Sequence, residues 1–149
     1  MQEILVPKIN VVVNQFDANT GELLHTQSTH NLVVNSGLNL IRDAVHTGTC
    51  SPLTKFGLGT SNTAVTSAQT TLQAELFKHY LTSPPTANAQ QLVVFYYLTS
   101  AYGNGQTIRE AGLFAENSTM YARVVLPTPI TKTASIEASF TWTLNWGAS

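Results

Sequence analysis

The chain has 149 residues, a formal net charge of −1 and only 10% charged residues. This balance argues against a general nucleic-acid binder, because such proteins neutralise phosphates with clustered Lys and Arg. Soluble domains usually carry about 25% charged residues, so the scarcity indicates either a face that another protein covers or an ordinary β domain with a Thr-rich surface.

The length suits a single domain over residues 1–149, which can bury a core without a disulfide or a metal. Cys50 is the only cysteine, so an intrachain disulfide is excluded. The short apolar run at the N-terminus is interrupted by Pro7 and Lys8, which is typical of neither a signal peptide nor a transmembrane span. We therefore expect an intracellular protein, or one exported without a signal peptide, and no membrane partner.

The first third of the chain predicts a long hairpin. β-Branched residues predict a strand over residues 4–16, and a second strand follows over residues 22–34. The turn between them ends at Gly21, which can adopt a positive φ. Residues 1–16 are expected to form an extended N-terminal strand, or an arm that adds a strand to a neighbouring molecule.

A helix of about three turns is predicted over residues 37–46. Asn35 and Ser36 are placed to cap its N-terminus. We expect the helix to lie across a sheet edge or a barrel end. The stripe that would face the sheet consists of Leu38, Ile41 and Val45.

The middle of the chain returns to strand patterns. Residues 55–61 predict a short strand that runs into a turn, and residues 66–76 predict one or two helical turns. A further strand begins at Phe77 and ends before the loop at Pro84-Pro85. The apolar run over residues 92–101 is typical of a strand buried on both faces.

The last third predicts strands separated by turns. Asn104-Gly105 is a strong hairpin signal, while Pro127 and Pro129 are expected to break a strand. Together the patterns predict a mainly β fold of seven or eight strands, a jelly-roll-like β-sandwich with one short α-helix. The final three strands are predicted over residues 107–115, 119–126 and 134–146.

Residue patterns for metal binding or phosphate binding are weak. His25 and His30 lie five residues apart on one predicted strand, so they face opposite sides and cannot share a metal. The segment FGLGTSNT lacks the Lys of a phosphate loop, so Gly57 and Gly59 are better explained as turns or close backbone approaches. We expect no metal, no cofactor and no catalytic residue.

A glycoside hydrolase would need two carboxylates that face one cleft. A pair of Glu75 and Glu110 is conceivable, although each more readily faces a cation, and a hydrolase remains the least favoured class. The other candidate acids are Glu116 and Glu137.

Arg109 and Glu110 lie on opposite faces of the predicted strand, each among apolar neighbours. A charge in that setting must be paired, because an unpaired one costs several kcal/mol. We therefore interpret them as struts that tie this strand to others; an anion or sugar site is the alternative. The partners available are Glu75, Lys78, Arg123 and Lys132.

Five segments, taken in order, resemble a family of tailed-bacteriophage virion proteins that includes capsid decoration proteins and baseplate or tail-fibre adaptors. They span most of the chain, and their order and spacing carry the likeness. The segments are HNLVVNSGLNLIRDAV (30–45), FGLGTSNTAVTSAQTTLQAEL (56–76), TIREAGLF (107–114), ARVVLPTPITKT (122–133) and FTWTLNW (140–146).

The resemblance implies a non-enzymatic β-sandwich that self-associates, often as a homotrimer, and docks on the major capsid protein or other virion proteins. A capsid decoration (cement) protein, assembled in the host cytoplasm and located in the virion, is the first expectation; a small tail, baseplate or tail-fibre adaptor component is the alternative. The residues expected to build its structural motif are Glu75, Arg109, Glu110, Gly112, Leu113 and Arg123.

A carbohydrate-binding role in host recognition is a further hypothesis, because aromatic side chains can stack on sugars. Strand positions favour core packing for most of them. The candidate aromatics are Tyr96, Tyr97, Tyr102, Trp142 and Trp146.

Overall fold

The computed structural model describes residues 6–147, and these residues form nine strands and one helix. The mainly β fold with one short helix, predicted from the sequence, is confirmed. The elements are β1 (Lys8–Asp17), β2 (Leu23–Val33), α1 (Asn35–Thr47), β3 (Leu53–Gly59), β4 (Glu75–Tyr80), β5 (Thr86–Asn88), β6 (Gln91–Leu98), β7 (Thr107–Ala115), β8 (Met120–Thr131) and β9 (Ile136–Asn145).

The strands form one antiparallel sheet in the order β4-β3-β7-β8-β2-β1-β9-β6-β5. The shortest strand pairing in the sheet is the one between β2 and β8, which consists of Leu32 with Arg123 and Val33 with Ala122. There the sheet curls, so that a first layer (β4, β3, β7, β8) faces a second layer (β2, β1, β9, β6, β5). The predicted sandwich is therefore two layers of one continuous sheet.

Aromatic side chains fill the space between the layers. Phe56 of β3 stacks on Tyr96 of β6 with ring centroids 4.3 Å apart, and it meets Trp142 of β9 edge-on at 6.3 Å. On β1, Val11 and Val13 point into the same core and are at most 1% exposed. Each such buried side chain contributes about 1.5–3 kcal/mol through burial of apolar surface.

Strand β1 lies in the interior of the second layer. It pairs with β2 along one side and with β9 from Lys8 to Asp17 along the other. Residues 8–16 therefore form the N-terminal strand, the first of the two predicted alternatives, and the arm is wrong for them because both edges of this strand are occupied. The remainder of that predicted arm includes residues 1–5, which lie outside the described residues.

The helix forms as predicted, and Leu38 and Ile41 of its predicted stripe pack against the core. The predicted cap is wrong, and so is the third residue of the stripe, Val45. The N-cap is Val34, without a side-chain cap hydrogen bond, because Ser36 Oγ instead donates to the carbonyl oxygen of Met120 at 2.6 Å. Gly37 is the buried helical residue, and a Cβ there would collide with the backbone of Tyr121 on β8. Val45 is 74% exposed, since only the first turns of α1 meet the sheet.

Two local predictions fail because tertiary contacts override them. No helical turn forms over residues 66–76; this part of the chain is instead held in a loop by the first layer, as described below. Asn104-Gly105 does not close a hairpin, because β6 pairs with β9 and β5 while β7 pairs with β3 and β8. The chain crosses from one layer to the other at this point.

Two strands also differ from expectation in their burial or length. The apolar run over residues 92–101 forms β6 and is buried on one face only, with Val93, Phe95 and Tyr97 partly exposed. β8 continues through Pro127 and Pro129 to Thr131. Its pairing with β7 shifts at this point, which accommodates residues that lack an N–H.

Candidate functional site

A buried ion pair joins β7 to β8 on the side of the first layer that faces away from the core. Arg123 Nε donates to Glu110 Oε1 at 2.8 Å, and both side chains are 0% exposed. The carboxylate of Glu110 also accepts three main-chain N–H groups, from Ser61 at 3.2 Å, Gln73 at 2.9 Å and Ala74 at 2.7 Å. The carboxylate of Glu110 is thus paired and hydrogen-bonded, as a buried charge requires, whereas Arg123 Nη2 has no hydrogen-bond partner within residues 6–147.

Arg123 extends the same connection to the other side of the loop. Its Nη1 donates to the carbonyl oxygen of Thr63 at 2.8 Å and to Gln69 Oε1 at 3.2 Å. The two charged residues therefore hold residues 60–74, here called the cover segment, across the outward side of the first layer. The ion pair acts as a strut, which is the interpretation that the sequence favoured.

Three glycines leave room for the cover segment to pack closely on the first layer, because they have no side chain. Gly57 and Gly112 are opposite each other on β3 and β7, and a Cβ at either would lie 3.0 Å from Leu72 of the cover segment. A Cβ at Gly59 would collide with the Glu110 carboxylate. The glycines at 57 and 59 are therefore close approaches, one of the two explanations that the sequence offered.

The structure brings Glu110, Gly112 and Arg123 together and leaves other expected partners apart. Arg109 is partly exposed and donates to the carbonyl oxygen of Thr60 at 3.3 Å. Glu75 is exposed and lies 3.5 Å from Lys78 on its own strand, so the proposed pairing of Glu75 with Glu110 or Arg109 does not form.

Two further members of the predicted set have separate structural roles. Leu113 is 0% exposed and points into the core between the layers. Lys132, a candidate partner for Glu110, is also 0% exposed, but its Nζ donates to Asn104 Oδ1 at 2.8 Å and to the carbonyl oxygen of Thr133 at 2.9 Å. Burial lowers the pKa of Lys132.

Within residues 6–147, no segment covers the outward side of the second layer, here called the outer face. Register and alternation place the side chains of its central rows: His30 opposite Asn10, Asn10 opposite Thr143, and Thr143 opposite Val93. All of these side chains except Ser139 are at least partly exposed. The rows consist of Thr26, Ser28, His30, Asn10, Val12, Asn14, Ser139, Thr141, Thr143, Val93, Phe95, Tyr97 and Thr86.

These central rows contain no Lys, Arg, Asp or Glu. Charges lie at the rim, with Lys8 at one end and Glu137 at the other. The Glu137 carboxylate is engaged within the molecule, since it accepts the Tyr97 hydroxyl at 2.9 Å and the Ser100 N–H at 3.0 Å. The outer face thus combines hydroxyl, amide and apolar groups without charge, a composition typical of the centre of a protein–protein interface.

The size of the outer face also fits an interface. Five strands spaced about 4.8 Å apart, with about 3.3 Å per residue between Lys8 and Phe16, span roughly 600 Å². A standard interface buries about 800 Å² on each partner. Composition indicated a Thr-rich face of low charge, but the sequence analysis did not locate it, because the run LVVFYYL was interpreted as buried on both sides. The alternation of Ser139, Thr141 and Thr143 was the signal that could have located it.

Of the five aromatic residues proposed for sugar stacking, two are buried and three are at least partly exposed, among them Tyr97 on the outer face. Trp142 is 0% exposed and Tyr96 is 4% exposed, so the stacking hypothesis is wrong for these two. Tyr102 is 49% exposed and packs edge-on against His79 at 4.7 Å. It therefore remains accessible where β4 of the first layer meets β6 of the second. Trp146, at the end of β9 that pairs with Gln91, is 38% exposed.

His79 links the two layers where β4 meets β6. Its Nδ1 lies 2.8 Å from the Tyr96 hydroxyl. Burial lowers the pKa of His79 and raises the pKa of Tyr96 to about 12. The contact therefore joins a neutral imidazole to a neutral phenol at pH 7.

Across residues 6–147, no three His, Cys, Asp or Glu side chains lie close enough together to hold a metal ion. The helix within this range is too short to cross a membrane. Comparison of the chain with protein-family models, with curated proteins and with solved structures finds no match.

Proposed function

We propose that this protein is a non-enzymatic structural subunit of a bacteriophage virion, a capsid decoration protein that self-associates and stabilises the major capsid shell. The observation that carries the structural part of this proposal is the outer face. Its virion setting rests on the resemblance of five segments to tailed-phage virion proteins.

The contrast between the two layers supports an assembly role. The first layer has its outward side covered by the chain's own residues 60–74, held by Glu110 and Arg123. The second layer exposes apolar and hydroxyl side chains that nothing in residues 6–147 covers. Such a surface repels copies and partners poorly, which suits a subunit whose outer face is buried in a shell.

The test is co-sedimentation of the purified protein with empty capsids, and separately with purified tails, of the phage that encodes the chain. Thr141→Lys places a charge at the centre of the outer face, between Val12 and Phe95. A lone buried charge costs several kcal/mol, so binding should weaken about 100-fold or more. The matched control is Thr71→Lys, at an exposed position of the cover segment.

Sedimentation of the wild type and of Thr71→Lys with capsids, and its loss in Thr141→Lys, would support the proposal. A wild type that stays in the supernatant with both capsids and tails would overturn it. Equal sedimentation of the two variants would show that the outer face is not the docking surface.

A small tail or baseplate component with a carbohydrate-binding role is the second candidate. The exposed Tyr102, backed by His79 at 4.7 Å, favours it, because a half-exposed ring over a fixed neighbour can stack on a sugar. Sedimentation with tails rather than capsids would favour this location. A glycan-array signal that disappears in Tyr102→Ala would support sugar binding.

A further inference from the structure

A buried lysine amine lies against an asparagine amide where β8 ends. Lys132, the residue after β8, is 0% exposed, and its Nζ lies 2.8 Å from Asn104 Oδ1. Because a carbonyl bond is about 1.23 Å long, the amine nitrogen lies at most about 4.0 Å from Asn104 Cγ. Atoms poised to react are about 3–3.5 Å apart, so a small movement brings the amine to the carbonyl carbon.

Main-chain hydrogen bonds hold the two side chains in this arrangement. The Gly105 N–H donates to the carbonyl oxygen of Lys132 at 2.9 Å, and the Lys132 N–H donates to the carbonyl oxygen of Gln106 at 2.9 Å. The other end of the Asn104 amide is also held, because Nδ2 donates to the carbonyl oxygen of Ser100 at 2.9 Å. Both groups are therefore oriented in advance, which is the condition that accelerates intramolecular reactions.

The surroundings of Lys132 favour an uncharged, nucleophilic amine. Its stem packs beside Gly103, where an added Cβ would lie 3.5 Å from Lys132 Cγ and 3.7 Å from the buried Ile108. Among residues 6–147, no carboxylate lies within 4.0 Å of its Nζ. Burial lowers the pKa of Lys132, and the negative charge of Glu137 opposes this only in part. A desolvated lysine amine is an activated nucleophile.

Glu137 is a carboxylate that can carry a proton between the two groups. Its charge acts on Lys132, and its Oε2 accepts the N–H of Ser100 at 3.0 Å. Ser100 is also the residue whose carbonyl oxygen accepts Asn104 Nδ2, so the carboxylate and the amide are attached to the same residue. Asn104 itself is exposed, which gives a leaving group a path to solvent.

We propose that Lys132 and Asn104 join through an isopeptide bond that the folded chain forms by itself. The lone pair of the neutral Nζ attacks Asn104 Cγ, and an electron pair of the C=O bond moves to Oδ1. One proton passes from Nζ to Nδ2, with Glu137 as its carrier. The carbonyl then re-forms, and the Cγ–Nδ2 bond breaks with its electron pair on nitrogen. The products are one amide bond and one molecule of ammonia, without any oxidant or reductant.

The bond would fasten the crossing between the layers to the end of β8. It closes residues 104–132 into a covalent loop that contains β7, β8 and the buried ion pair between them. The reaction needs neither a second copy nor a capsid. It therefore goes beyond the proposed function, and its test is independent of the docking test.

The test is the intact mass of the denatured full-length protein, measured by electrospray mass spectrometry at once and after several days at neutral pH. We expect the wild type, a chain of 16.1 kDa, about 17 Da below the mass of its sequence, because one ammonia has left. Lys132→Arg and Asn104→Ala should each have the full mass of their sequences. The matched control Lys55→Arg changes an amine that lies 3.2 Å from Ser118 Oγ and should keep the deficit.

Peptide mapping locates the bond. Trypsin does not cleave after a lysine whose amine is acylated, so the wild type should yield a branched peptide that joins residues 79–109 to residues 124–149. A cyclic imide at Asn104-Gly105 also loses ammonia, but it needs no lysine and persists in Lys132→Arg. The branched peptide therefore distinguishes the two products.

Three results would overturn the proposal: a wild type at its full sequence mass in both measurements, a mass deficit that persists in Lys132→Arg, or a digest without the branched peptide. Glu137→Gln keeps the size of the side chain and removes its basicity, so the bond should form about 100-fold more slowly. A Glu137→Gln variant that is linked as quickly as the wild type would overturn the role of Glu137 as proton carrier.

Discussion

Replacement of Arg123 by Met removes the cation from the buried ion pair and keeps much of the side-chain volume. Arg123 loses three hydrogen bonds, one to Glu110 and two to the cover segment, and the carboxylate remains at 0% exposure without its counter-ion. Removing one partner of a buried pair costs about 3–5 kcal/mol. This is a large part of the total free energy of unfolding, about 5–15 kcal/mol for a typical domain.

Urea denaturation followed by circular dichroism measures this loss. With a slope of about 2 kcal/mol per molar, the midpoint should fall by about 2 M. Arg42→Met is the matched control, because Arg42 pairs with Asp43 at 2.8 Å but is 65% exposed, and an exposed pair contributes less than about 1 kcal/mol. The double variant Glu110→Gln/Arg123→Met should recover part of the loss, because no buried charge is left unpaired.

Equal midpoints for Arg123→Met and Arg42→Met would refute the strut interpretation. Hydrogen exchange provides the local readout. The amides of Ser61, Gln73 and Ala74, which donate to Glu110, should exchange faster in Arg123→Met than in the wild type.

Three further outcomes are expected. Leu113→Asp buries a lone charge at a 0% exposed position and should cost more than about 3 kcal/mol; a soluble variant with an unchanged Tm would contradict the assignment of this strand. Burial holds the folded-state pKa of His79 below its ordinary value, so below pH 6.5 the unfolded chain binds more protons. The free energy of unfolding should therefore fall from about pH 7 to pH 5, and His79→Phe should reduce this dependence while keeping an aromatic ring beside Tyr96. Gln27→Leu removes both hydrogen bonds to Thr128 and should cost about 1–3 kcal/mol in urea denaturation; an unchanged midpoint would show that this bridge contributes nothing.

Local sequence signals predicted the first hairpin correctly because its determinants are local. Alternating residues make β1 and β2, and Gly21 takes the positive φ of 75° that the turn requires. Pairing between distant elements was not accessible in the same way. Asn104-Gly105 is a residue pair typical of hairpin turns, yet the strands that flank it belong to different layers. No local sequence pattern indicates which strands those two pair with.

The charged residues show the same difference between what local sequence predicts and what depends on distant parts of the chain. The need for Glu110 to be paired follows from its apolar neighbours, and Arg123 was among its candidate partners. The three main-chain donors could not be foreseen: Gln73 and Ala74 come from a segment whose pattern predicted helical turns, and Ser61 from a predicted strand end. A buried carboxylate selected the loop conformation there, and tertiary contact overrode a weak helical preference.

The absence of charge from the outer face has a consequence for solution conditions. Coulombic contacts between exposed groups weaken as ionic strength rises, because mobile ions screen them within about 10 Å at 0.1 M salt. A complex built on threonine, asparagine, valine and phenylalanine has little of that energy to lose, and sulfate or phosphate strengthens the burial of its apolar part. If the outer face docks on a capsid as proposed, the protein should therefore stay bound to capsids at high salt concentration, where assemblies held by ion pairs dissociate.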